Sequence, residues 1–301
     1  MQKFFSPTND LVFKKVFWDE KKKNILMSFL NSVLELSGDQ IIQEVTIVNP
    51  YQAPKISDLK ETTLDIKAKD LSGKEFIIEM QVQENEDFKK RALYYASKAY
   101  SQQLKKRWDF NSLKPVIFIG VLGYTLFKDI KDTNYLHHLW ILNLETHTHE
   151  MQDFEFHFLE LPKFQKKKLE EISTIIEQWC YFLKNTKEDT IVPENFQSII
   201  KEAFETVERH NFTEQEIDAI DYWEQEEFLN YSKGKNDGKK EGIQEWIKKW
   251  REEWKKEWRE EWEKKKALEI AKNLLDVLDD EAISNKIGIS LEKIQELRKW
   301  N

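Results

Sequence analysis

The stretch TTLDIKAKDLSGKEFIIEMQVQ, residues 62–83, decides the fold. Two runs with strand character, TTLDIKAKD (62–70) and KEFIIEMQVQ (74–83), flank a turn-like LSG. With the turn centred on Ser72, residues whose numbers sum to twice 72, or 144, face each other across an antiparallel pair. Asp65 then opposes Glu79 and Thr63 opposes Gln81. Strand alternation predicts Asp65, Glu79 and Gln81 on one face, with Leu64, Ile66, Ile78, Met80 and Val82 on the other. Two carboxylates with Cβ atoms ~5 Å apart repel unless a cation or a proton sits between them. Hard divalent ions take one or two carboxylates, waters and substrate phosphate, which is the make-up of a phosphodiester hydrolysis site. An exposed hairpin face would carry the same three residue types, so spacing alone leaves both readings open.

Outward from the hairpin, FKKRALYYASKAYSQQLKKR (88–107) has helical spacing, with Ala92, Tyr95, Ala99 and Leu104 as its inner face. PVIFIGVL (115–122) is a continuous apolar run, the pattern of a strand buried on both faces. LHHLWILNLE (136–145) and FEFHFLEL (154–161) alternate as strands. Upstream, the spacing predicts a helix over 10–36, with Thr8 or Asn9 as N-cap, and a strand over 41–49. After Pro162 the pattern is helical to about Tyr231. SKGKNDGKKEG (232–242) supplies glycines and charges suited to a hinge. Helix and strand alternate early and only helices follow, so the class is α/β with a helical extension and tail. The expected units are a core over 1–162, an extension over 163–231, a hinge and spacer over 232–266, and a small terminal unit over 267–301.

The spacer, EWIKKWREEWKKEWREEWEKKK (245–266), repeats tryptophan every fourth residue. A step of four drifts by ~40° on a helix, so these rings give no fixed face for a membrane or a ligand. A charged spacer helix that self-associates as a coiled coil, and so joins copies of the chain, fits it better. In the terminal unit, DDEAISNKIGISLEKIQELRKW has the outline of a helix-turn-helix, with Ser290 as N-cap. Its second helix mixes Lys293, Arg298 and Lys299 with Glu292 and Glu296, which suits protein docking as well as DNA.

The net charge of −8 argues against a protein that coats nucleic acid indiscriminately, though it permits a local basic groove. The single cysteine, Cys180, leaves no internal disulfide and fits a reducing compartment. No apolar run approaches ~20 residues, which points to a soluble, cytoplasmic protein without membrane partners. His147 and His149 alternate on one strand face but lack a third ligand nearby.

The residues that tip the balance at the hairpin are Asp65 and the tripeptide Glu79-Met80-Gln81, which resemble the D…ExQ variant of the PD-(D/E)XK nuclease fold. NDLVFKKVF (9–17), ILMSFLNSVL (25–34), LDIKAKD, FIIEMQ, KRALYYASKAYSQQL and LKPVIFIGVLGYTLF each resemble, in order, segments of the recombination-promoting nuclease and transposase family of bacteria. The resemblance covers residues 9 to about 160, and the terminal helical unit resembles the ending these proteins often carry. It implies a restriction-endonuclease-like core, a mixed sheet flanked by helices, acting as a divalent-metal-dependent DNA endonuclease linked to recombination or mobile elements. By the same resemblance Asp65 and Glu79 hold Mg2+ or Mn2+ and the carbonyl of Met80 completes the site, while Asp10 is either a third acidic member or a helix N-terminal charge that meets the macrodipole. Gln81 stands where the wider superfamily has lysine; an amide orients and hydrogen-bonds but carries no charge. A lysine at 81 would restore the superfamily residue and is expected to permit cleavage. Arg91, Lys14 and Lys90 are the candidates for DNA contact, and Arg91, within reach of the carboxylate face, either binds phosphate or pairs with a carboxylate. Competing readings are a nuclease fold retained as a DNA-binding module, and an interaction protein that works through its tail.

Overall fold

The computed structural model describes residues 3–48, 51–52, 62–104, 109–129 and 131–222, and 267–299 apart from 269, 273, 276 and 277. The hinge, the tryptophan repeat and Lys105–Arg107 lie outside these residues. The chain divides into two compact units, 1–227 and 228–301. Among the described residues no helix is long and apolar enough to cross a membrane.

The first unit is built on a six-stranded mixed sheet. Its strands are β1 (Val45–Ile47), β4 (Ile66–Asp70), β5 (Glu75–Gln81), β6 (Val116–Leu122), β8 (Phe154–Glu160) and β7 (Leu136–Trp140), in that spatial order. β2 (Tyr51–Gln52) and β3 (Thr62–Thr63) pair as a separate short ribbon. β5, β6 and β8 run parallel to one another, while β4 pairs antiparallel with β5, β1 with β4 and β7 with β8. All seven residues of β6 are buried, as an apolar run sandwiched between layers requires. β4 and β5 pair with Ile66 on Ile78 and Lys69 on Glu75, the register a turn centred on Ser72 demands. Gly73 takes φ 88°, a left-handed conformation that glycine adopts without strain, and Asp70 closes the turn by accepting from the amide of Lys74 at 2.9 Å.

One face of the sheet is covered by α3 (Phe88–Gln103), the crossover between β5 and β6. Its Phe88, Ala92, Ala96 and Ala99 pack with Ile77, Val116, Phe118, Leu122 and Phe158. Leu64 belongs to this cluster too. The alternation rule had placed it on the opposite face. The reason is a bend at Asp65, between β3 and β4, which shifts the phase of the strand. The residues of the other parity, such as Phe76, Ile78, Ile119 and Val121, are buried as well.

The predicted helix over 10–36 is two helices, α1 (Asp10–Phe17) and α2 (Lys23–Val33), joined by a 3-10 turn. Asn9 caps α1, its side chain accepting from the amides of Leu11 and Val12. α4 (Ile175–Asn185) and α5 (Ser198–Thr206) pack on α1 and α2, so the helices after Pro162 join the same unit as the N-terminal ones. Trp179 sits against Phe17 and Phe29, and Phe204 against Phe4. Cys180 is fully buried, and burial pushes its thiol pKa up, as expected of a small core residue.

The second unit closes a small core of Ala271, Leu275, Ile283 and Ile294. Helices Asp280–Ile287 and Leu291–Lys299 flank Gly288, which is left-handed. Arg298 donates to Asp280 and to the carbonyls of Leu275 and Leu278, which ties the unit together.

Gly120 tests how tightly α3 is seated. A Cβ there would lie 2.9 Å from the Phe158 ring and 3.1 Å from the Phe88 ring. Gly120→Ala is expected to cost ~1–3 kcal/mol by overpacking, lowering the melting temperature by roughly 2–4 °C per kcal/mol. A calorimetric melt equal to wild type would contradict this packing.

Candidate active site

β4 and β5 bring the two carboxylates of the hairpin together at the point where their ladder ends. Beyond Ile66–Ile78 the strands exchange side-chain bonds instead. The Asp65 amide donates to Glu79 Oε1 at 3.0 Å, and the Met80 amide donates to Asp65 Oδ2 at 2.8 Å. Each carboxylate is thereby pinned by the partner strand's backbone. Both are largely buried: 18% of the Asp65 side chain and 6% of the Glu79 side chain remain exposed.

Burial and neighbouring negative charge dominate the electrostatics. Burial first, and then the charge of Asp10, pushes the Asp65 pKa up to about 6, although Lys14 and the Met80 amide pull the other way. Burial and the charge of Asp65 raise Glu79 well above the usual carboxylate range.

Two cations approach from the flanking helices. From α1, Lys14 Nζ lies 2.9 Å from Asp10 Oδ1 and 3.6 Å from Asp65 Oδ1. Burial opposes its charge, but Asp10, Asp65 and Glu79 together hold its pKa above the ordinary lysine value. From α3, Arg91 spreads its guanidinium over three partners. Nη1 donates to Gln81 Oε1 at 3.2 Å, Nε donates to the Tyr95 hydroxyl at 3.3 Å, and Nη2 lies 3.8 Å from Glu79 Oε2. The Gln81 amide nitrogen donates to the Gln83 carbonyl at 3.1 Å, which fixes which way the amide points.

Of the residues selected from the sequence, Asp10, Lys14, Asp65, Glu79, Met80, Gln81 and Arg91 are thus brought to one place. Asp10 stands in the first turn of α1, so it meets the positive end of that helix as well as Lys14. Lys14 faces the carboxylates rather than standing apart as a surface cation. Lys90 is exposed on the first turn of α3. The other basic runs are partly engaged elsewhere, with Lys15 on Glu216, Lys22 on Thr206 and Lys23 on Glu20. His147 and His149 do not share a strand face, because β7 ends at Trp140. His147 takes φ 56° in a turn and His149 stacks on the Trp140 ring.

The donor set around Asp65 and Glu79 suits a hard divalent cation: all oxygen, two carboxylates, and a charge repulsion that such an ion would relieve. A second cluster, not anticipated from sequence, gathers ligand atoms of Asp132, His137 and Glu160 within 4.8 Å of one another. Lys163 already bridges its two carboxylates, at 2.9 Å from Asp132 and 2.8 Å from Glu160. Glu160, fully buried, also accepts from the amides of Leu126 and Phe127. In that cluster Lys163 offsets part of the negative charge, and Glu160 fastens the loop after β6 to the end of β8.

The raised pKa values have a sign. A carboxyl whose folded pKa lies above its unfolded value stabilises the fold while protonated, and that contribution is lost as pH rises through the folded pKa, for Asp65 about 6. Without divalent metal, Asp65→Asn should therefore match or exceed wild-type stability at pH 8, by ~2–4 °C for each kcal/mol relieved. The difference should shrink toward pH 5. Thermal melts in chelator across this range check it; a variant that melts well below wild type at pH 8 contradicts the stored repulsion.

A family model described as PD-(D/E)XK nuclease family transposase matches residues 7–230, and so spans both the sheet and the helices that pack around it. Searches of curated proteins and of solved structures return no match. The matched region contains the clasped carboxylates, the mixed sheet and both cation-bearing helices, and on that match the chain belongs to the PD-(D/E)XK nuclease family transposases.

Proposed function

We propose that this chain is a divalent-metal-dependent DNA endonuclease that hydrolyses phosphodiester bonds during recombination or the movement of a mobile element. The reading is carried by the buried Asp65–Glu79 pair, each carboxylate held by the other strand's amide. PD-(D/E)XK nucleases use divalent metals, and here Asp65, Glu79 and the Met80 carbonyl would hold Mg2+ or Mn2+, with Asp10 beside them. When bound, such an ion activates water and neutralises charge on the scissile phosphate. The chain's own residues do the rest. The two amides fix the carboxylate oxygens, so little reorganisation is needed at the moment of reaction. Lys14 keeps Asp10 close to Asp65. Lys90 and its exposed neighbour Lys89, on the first turn of α3, offer phosphate contacts on the rim.

A second reading, a fold that binds DNA without cutting it, draws on the same geometry. Lys14 and Arg91 already face both carboxylates, so the charge is partly balanced without metal.

Nicking of supercoiled plasmid with Mg2+ or Mn2+ separates the two. Wild type should nick, and Asp65→Asn or Glu79→Gln should lose at least ~100-fold, the scale set by removing one preorganised charged group. Retardation of DNA without nicking would favour the binding module. An Asp65→Asn protein that cuts at the wild-type rate would remove Asp65 from the site.

A further inference from the structure

The Arg91 side chain is held more firmly than a surface phosphate contact would be. Its three nitrogens each have a partner in the site: the Tyr95 hydroxyl, the Gln81 amide oxygen and, more loosely, the Glu79 carboxylate. Its plane also lies near the Phe88 and Tyr95 rings, at 5.8 and 5.6 Å from their centroids. Gln81 is fixed from the other side by its bond to the Gln83 carbonyl, which leaves its oxygen toward the guanidinium. The amide thus donates to the chain on one side and accepts from Arg91 on the other.

We propose that Arg91 is the fixed positive charge on the Glu79 side of the carboxylate pair, across from Lys14 on the Asp65 side, and that Gln81 is the positioning residue that holds Arg91 there. Among the described residues, the cation beside Glu79 is thus supplied by the helix after β5 rather than by the strand. Glutamine at 81 is then not a weakened lysine. It is the neutral acceptor that a guanidinium at this distance requires, since an ammonium at 81 would meet Arg91 with like charge. This reverses the expectation that lysine at 81 permits cleavage. The inference rests on the nuclease reading for its cleavage arm only.

The test moves the charge from one side chain to the other. Four full-length proteins are compared: wild type, Arg91→Gln, Gln81→Lys, and the double variant Gln81→Lys with Arg91→Gln. Mn2+ binding is measured by calorimetry without DNA. Arg91→Gln should bind Mn2+ more tightly than wild type and Gln81→Lys more weakly, each by roughly threefold to tenfold, because a fixed cation nearby opposes a second one. The double variant, with the charge count restored, should return to within about threefold of wild type. Plasmid nicking should fall by about tenfold or more in each single variant and recover in the double one. Equal Mn2+ affinities in all four proteins overturn the proposal, because a purely structural arginine would move the melts and not the affinities. So does a Gln81→Lys protein that nicks as wild type. If Arg91→Gln does not fold, Gln81→Lys decides alone: weaker Mn2+ binding with lost nicking supports the proposal, and wild-type behaviour overturns it. If the Mn2+ order holds but no protein nicks DNA, the Arg91–Gln81 pairing stands and the nuclease reading falls.

Discussion

The reciprocal clasp between Asp65 and Glu79 is the interaction on which the rest of this site depends. In an antiparallel pair alternate residues exchange backbone hydrogen bonds, yet beyond Ile66–Ile78 the strands are joined by backbone amides donating to side chains. Asp65 lies in a bend, so its amide meets the Glu79 carboxylate, while the Asp65 carboxylate takes the Met80 amide. Two buried acids are kept close because each satisfies a backbone donor that would otherwise be orphaned. The arrangement satisfies hydrogen bonds and concentrates negative charge at once, and the second consequence is the useful one.

Topology decides what can reach that charge. The parallel register sets Gln81 beside Leu122 and Leu122 beside Glu160, so the ends of β5, β6 and β8 lie in one row. The β5–β6 crossover starts immediately after this row, and its first turns carry Lys90 and Arg91. α1 arrives from the N-terminal helical layer with Asp10 and Lys14. Gly120, in register with Glu79, leaves room for Phe88 to sit against Phe158 and so brings the start of α3 down onto the sheet. A methyl group there would push on the helix that carries Arg91, which links core packing to the geometry of the site.

Legibility followed the range of the forces involved. The hairpin register was readable because a short turn ties the partners to each other, and the Asn9 cap because capping is local. The family match over 7–230 agrees with the fold class drawn from alternating elements and from the D…ExQ residues. The side of the sheet taken by Leu64 was not readable, since alternation assumes an unbroken strand and the bend at Asp65 breaks it. The place of β8 between β6 and β7 was equally hidden, because strand order is set by packing over long sequence separations. The sequence offers Lys14 as a candidate for DNA contact, and only the docking of α1 brings it to 3.6 Å from Asp65. The partners of Arg91 depend on where α3 crosses, and the Asp132–His137–Glu160 cluster joins residues up to 28 positions apart, by 160 less 132.

The charge balance of the assembled group closes the argument. Asp10, Asp65 and Glu79 face Lys14 and Arg91, three formal negative charges against two positive, which leaves one negative charge. The raised pKa values of Asp65 and Glu79 show how the protein alone tolerates this excess: the buried pair favours holding a proton. With one proton held, the five side chains sum to zero formal charge. A divalent ion on the same oxygens would displace the proton and turn the balance to one positive charge, matching the single negative charge of a backbone phosphate. On the proposed reading, the residues that would bind the ion and those that would hold the DNA are not separate sets. If the proposed ion binds there, each of the two helix-borne cations would lower the affinity for metal, and each would add to the attraction of the loaded site for phosphate.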